Sequence, residues 1–185
     1  MELILYQTLE DRGNPESIEV GGPFKCTRRD AWLGHGYYFW DGHIQLAHFW
    51  GRKFGSGYVV CKADAELDSK CWNLHGNALH RIELEGIFDI LIEKKISTEK
   101  QLLVSHIIEF LKSKGEFKYT SIRALGVNSI SKNSELTKRI QFHDKHIAYF
   151  DVYPPVQVCL IQKNALSLQN YSIVYPDYYT NDVYA

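Results

Sequence analysis

Apolar residues change their spacing several times along the chain, and each change marks an element. Leu3-Ile4-Leu5-Tyr6 is a continuous apolar run, which predicts a strand buried on both faces. Gln7 and Thr8 follow at its carboxyl end, where strands hand residues to a site. Asp11 to Pro15 reads as a turn. Asn14 is placed to cap a short helix with Pro15 in its first position, ended by Gly21-Gly22-Pro23. Phe24 to Asp30 is a polar, basic lead-in. Gly34 and Gly36 predict a tight, exposed turn, and Tyr37-Tyr38-Phe39-Trp40 an aromatic strand. After Asp41-Gly42, Ile44, Ala47 and Trp50 fall at helical spacing, with Leu46 and Phe49 beside them. The rest of the chain is organised around this unit. A helix packed behind an aromatic strand, with an open turn in front, suits a flat ring-shaped ligand.

Gly55-Ser56-Gly57 breaks the chain before a strand at Tyr58 to Ala63, expected in the sheet interior. Leu67 to Leu74 ends that element, and His75-Gly76-Asn77 is a turn. From Ala78 to about Leu111 the spacing is mostly helical. Thr98 and Gln101 stand at capping-box spacing, so a helix is expected to start there and to stop at Gly115. Lys118 to Ala124 reads as a strand and Ser129 to Ser134 as a polar loop. Pro154-Pro155 stiffens the chain ahead of a strand at Val156 to Ile161, a turn at Gln162-Lys163-Asn164 and a last strand near Tyr171 to Val174. No repeat or linker divides the chain, so one domain over 1–185 is expected, with a helical insertion at about 78–150.

Composition narrows the class. With 45% hydrophobic and 23% charged residues, the chain reads as globular. A net charge of −1 gives no general pull toward nucleic acid or membrane. No apolar run reaches the ~20 residues of a membrane helix, so no membrane partner is expected. The start Met1-Glu2-Leu3 lacks a basic region and a cleavage site. Cys26, Cys61, Cys71 and Cys159 lack paired spacing and read as free thiols, which points to the cytoplasm.

Several side chains are candidates for chemistry. Lys25, Arg28 and Arg29 precede the glycine turn, and a guanidinium matches phosphate oxygens in two-pronged fashion. His35 sits between the glycines. His43 and His48 point apart on a helix, and His143 and His146 lack the further ligands a metal site needs, so no metal is expected. Trp32, Trp40, Trp50 and Trp72 read as core or pocket wall.

Three stretches together resemble a known family. Leu5-Tyr6-Gln7-Thr8, then Gly36-Tyr37-Tyr38-Phe39 with Ala47 and Trp50, then Gln157 to Ile161 with Ala165-Leu166, are similar to ADP-ribosyltransferases of the diphtheria-toxin and poly(ADP-ribose) polymerase type. Small bacterial toxin-like members are the nearest in look. The likeness covers roughly residues 3–75 and 155–174. It implies an α+β fold in which two small, mostly antiparallel sheets meet at a cleft. It also implies NAD as substrate and mono-ADP-ribosylation of an acceptor that is a protein or a nucleic acid.

By that resemblance Thr8, with Gln7 beside it, holds the nicotinamide amide, Tyr38 stacks on the ring, and Gly36 belongs to the binding motif. Lys25 and Arg28 are placed for the diphosphate. Gln157 falls where the family has the glutamate that binds the ribose 2′-hydroxyl and offsets the growing positive charge. Two departures matter: the family's histidine is Gln7 here, and its glutamate is Gln157. An amide hydrogen-bonds a hydroxyl but supplies no charge and no base. Losing one such positioned group costs ~10²–10³ in rate. Asp151 is the carboxylate nearest in sequence to compensate. A catalytically inactive module binding NAD, ADP-ribose or a protein is the alternative, and a tRNA 2′-phosphotransferase type a third.

Overall fold

The structure, a computed structural model, describes residues 1–126 and 136–180, so the expected loop at Ser129 to Ser134 lies outside the described residues. β1 (Glu2–Glu10) alternates buried Leu3, Leu5 and Gln7 with more open Ile4 and Tyr6. One face carries the deeper core, which corrects the expectation of equal burial. α1 (Pro15–Gly21) begins on Pro15 and closes at Gly22. β2 (Tyr37–Asp41) and α2 (Ile44–Gly51) follow as their spacing predicts, although the buried face of α2 is Leu46, Ala47 and Gly51 rather than Ile44 and Trp50. β3 (Tyr58–Glu66) and β4 (Cys71–Asn73) come next.

The stretch read as a helical insertion is only partly helical. α3 (Ala78–Glu93) starts on Asn77, whose side chain accepts the Leu79 N–H. α4 (Val104–Ser113) starts six residues after Thr98, which bonds to Gln101 in a turn instead of capping a helix. β5 (Ser121–Leu125) is a full member of the main sheet, whereas β6 (Arg139–Gln141) and β7 (Tyr149–Asp151) form a separate exposed hairpin. β8 (Val156–Leu160) is buried along its whole length, and β9 (Gln169–Tyr175) ends the sheet.

The fold is α+β, with one seven-stranded sheet in the order β4-β5-β8-β2-β1-β3-β9. Every neighbouring pair is antiparallel except β4 and β5. The two separate sheets expected from the resemblance are thus joined. The joint is narrow: β1 meets β2 only at Leu5 opposite Asp41 and Tyr6 opposite Trp40, while it follows β3 from Glu2 to Glu10. From Tyr37 to Phe39, ahead of this joint, β2 pairs with β8 alone and stands apart from β1.

Helices cover one face on both sides of this joint. α2 buries Leu46 and Ala47 against Trp40 and Val60, and α4 buries Ile108 with Leu33, Trp72, Ile122 and Cys159. The other face packs Leu5, Phe39, Val158 and Leu160 beneath Ala165 and Leu166. Each of these Leu, Val and Phe side chains contributes about 1.5–3 kcal/mol on burial. All four cysteines are free, and Cys26 alone is only half-buried. Among the described residues, no helix is long and apolar enough to cross a membrane.

Candidate functional site

A cavity of about 360 Å³ opens where β1 and β2 part. Gln7, Thr8, Lys25, Arg28, Tyr38 and Gln157 all line it, so six of the seven expected site residues come together. Gly36 does not. A Cβ placed there would lie 2.4 Å from the Cys159 sulfur and 2.6 Å from the Leu160 carbonyl. Its bareness lets the strand pack closely on β8 and pair with Cys26, which is a structural service behind the site.

Thr8 lies at the opening itself. Gly42 donates its N–H to the Ile4 carbonyl, so alternation turns the backbone groups of Ile4, Tyr6 and Thr8 toward β2. β2 has already diverged at Thr8, which pairs only with Val60 of β3. A stretch of β1 edge therefore faces the cavity. The Thr8 hydroxyl is committed elsewhere, donating to the Ala47 carbonyl of α2 at 2.9 Å.

Gln7 is a cross-brace. Its Nε2 donates to the carbonyls of Phe24 at 3.0 Å and Tyr38 at 3.4 Å. Its Oε1 accepts the Phe24 N–H at 3.0 Å and the Tyr171 hydroxyl at 2.8 Å. Two donors and two lone pairs are all used, so this amide ties four segments together and keeps nothing for a ligand.

Tyr38 and Gln157 lie near each other on one face, Tyr38 opposite Cys159 and Trp40 opposite Gln157. The Tyr38 hydroxyl accepts the Leu33 N–H at 2.9 Å and donates to the Gly34 carbonyl at 2.7 Å. Burial pushes this phenol far up, so it stays neutral and its ring is held as a fixed wall. Burial likewise pushes the neighbouring Cys159 thiol up to about 12, which removes it as a nucleophile. Gln157 is 9% exposed, and its Oε1 accepts the Trp32 indole N–H at 2.7 Å. Trp32 comes from the loop before the glycine turn and bridges to β8 across the cavity.

The other half of the cavity is aromatic and cationic. Phe49 and Trp50 of α2 and Phe54 beyond it form a wall. Lys53 stands 4.1 Å from the Trp50 ring centre and Arg28 5.9 Å from it. Arg28 is also paired with Asp30, at 2.8 and 2.6 Å. Those hydrogen bonds hold the Asp30 carboxyl below its ordinary range. Asp30 is the one carboxylate lining the cavity among the described residues; Asp151 sits on the β6–β7 hairpin, outside the lining. His35 is exposed and outside it too. Among the described residues, no three His, Cys, Asp or Glu side chains are placed to hold a metal.

Sequence reasoning overlooked Lys53 and left Trp32 and Trp50 as generic wall. Lys53 had a signal: it follows Trp50 by three residues, one helical turn on. Trp32 had none, because its partner Gln157 is 125 positions away. Comparisons with protein families, with curated proteins and with solved structures find no match.

Proposed function

We propose that the cavity binds NAD and that the protein is a mono-ADP-ribosyltransferase of low intrinsic rate. The observation that carries this reading is the parting of β1 and β2. It leaves the Thr8 backbone facing the same cavity as Tyr38 and Gln157, with Lys25 and Arg28 at its rim. An exposed strand edge suits an amide such as nicotinamide, which both donates and accepts. A neutral phenol ring suits the pyridine. Cations suit the diphosphate.

In this reading NAD loses nicotinamide first. The bond from the ribose C1′ to the pyridine nitrogen breaks, the electron pair leaves with nicotinamide, and an acceptor nucleophile then attacks the oxocarbenium carbon. Gln157 orients the ribose hydroxyls and supplies no negative charge, which sets a low rate.

The Trp32–Gln157 bond favours a second reading, a module that binds NAD or ADP-ribose without turnover. One experiment separates them: calorimetric titration with NAD, together with nicotinamide release from NAD. Binding with slow release is expected for the transferase. Binding without release gives the module, and no binding removes both.

A further inference from the structure

Lys53 and Arg28 converge on one indole from separate stretches of chain, the segment after α2 and the loop before the glycine turn. Two like charges held near one ring repel, although the ring's π-face offsets part of that. Lys53 is exposed and has no carboxylate partner among the described residues. Lys25, also exposed, adds a third cation to the same lining, against the single carboxylate of Asp30. The cavity rim is therefore locally positive in a chain of net charge −1. The surplus matches the two negative charges of a diphosphate bridge between two nucleosides. Arg28 and Asp30 are 60% and 67% exposed. An exposed pair of this kind contributes little, so a diphosphate can take the guanidinium from it. Aromatic residues share the lining with the cations, among them Trp32, Trp40, Phe49 and Phe54, and Lys53 also stands 5.4 Å from the Phe49 ring, which suits a ligand that carries flat rings beside its charge.

We propose that Lys53, with Arg28 beside the Trp50 ring, clamps the diphosphate of a dinucleotide, and that Lys53 makes the cavity select diphosphate-bridged ligands over nucleosides. The proposal rests on the NAD reading for the identity of the ligand and stands on the cation geometry for the clamp. Lys53 acts by binding and takes no part in bond breaking.

The test is calorimetric titration of the full chain and of its Lys53→Gln and Lys53→Arg variants with NAD, inorganic pyrophosphate and nicotinamide riboside. The expected result is that Lys53→Gln weakens NAD and pyrophosphate about tenfold or more and leaves the riboside unchanged. Lys53→Arg keeps most of the affinity. Lys53→Gln binding both diphosphates like the wild type overturns the clamp. So does a wild type that binds neither. Pyrophosphate binding that depends on Lys53, with no NAD binding, keeps the clamp and overturns the NAD reading.

Discussion

The indole N–H of Trp32 donates to Oε1 of Gln157 at 2.7 Å, linking residues 125 positions apart across the cavity. The bond occupies one of the two lone pairs with which Gln157 would meet a ribose hydroxyl. Trp32→Phe keeps an aromatic wall and removes the donor. A neutral bond of this kind is worth about 0.5–1.5 kcal/mol, so NAD binding should tighten by roughly two- to tenfold. Weaker binding, measured by calorimetry, would show that the indole N–H itself serves the ligand.

Gln157→Glu introduces a negative charge while still accepting the indole N–H. Nicotinamide release from NAD should rise about 10²-fold. The rise should appear in kcat, because the charge matters as the oxocarbenium ion forms. A variant that folds, binds NAD and releases nicotinamide no faster would refute the placement of the ribose beside this residue.

Gly36→Ala separates a structural from a ligand-binding role for that glycine. The new methyl group would meet the Cys159 sulfur and the Leu160 carbonyl, and the carbonyl is backbone that cannot step aside. A cost of about 1–3 kcal/mol follows, seen as a fall in Tm of roughly 2–12 °C. The fraction that remains folded should bind NAD normally. Normal stability with lost binding is the opposite result, and it would return Gly36 to the site.

Arg123 reaches over β8 to Asp41 at 2.7 Å, and the two side chains are only 12% and 11% exposed. Removing one partner strands the other's charge in the sheet. Arg123→Met should therefore destabilise by about 3–5 kcal/mol in urea denaturation. Combining it with Asp41→Asn should recover part of that loss, since no bare charge remains.

Glu83 gives a pH signature. Burial raises its carboxyl, but bonds from Lys118, Tyr119 and Trp72 outweigh this and leave it below the ordinary 4.5. Lys118 lies 2.8 Å away and the Trp72 indole nitrogen 3.1 Å away. A depressed folded value means that the stabilisation is full above pH 4.5 and is lost as pH falls through that lower value. Glu83→Gln should cost about 1–2 kcal/mol at pH 7. The gap from wild type should narrow below pH 4.5, as followed by denaturation at both pH values.

By itself the sequence determined the local elements around the site. The aromatic run at Tyr37 to Trp40, the helix behind it and the apolar strand at Val156 were legible because period and residue type act over a few neighbours. The α+β class was expected from the resemblance these stretches carry, and the mixed, mostly antiparallel sheet with its helices agrees with it at that level. The tertiary structure decided what each side chain has left to offer. Gln7 is expected by resemblance beside the nicotinamide amide and is spent on Phe24, Tyr38 and Tyr171; Gly36 is expected as part of the motif and packs closely on Cys159 and Leu160. The same holds for the single sheet, whose joint is two residue pairs between β1 and β2, and for Trp32 meeting Gln157. Hydrogen-bond valence and long-range register depend on groups far apart in the chain, and local spacing carries no trace of them.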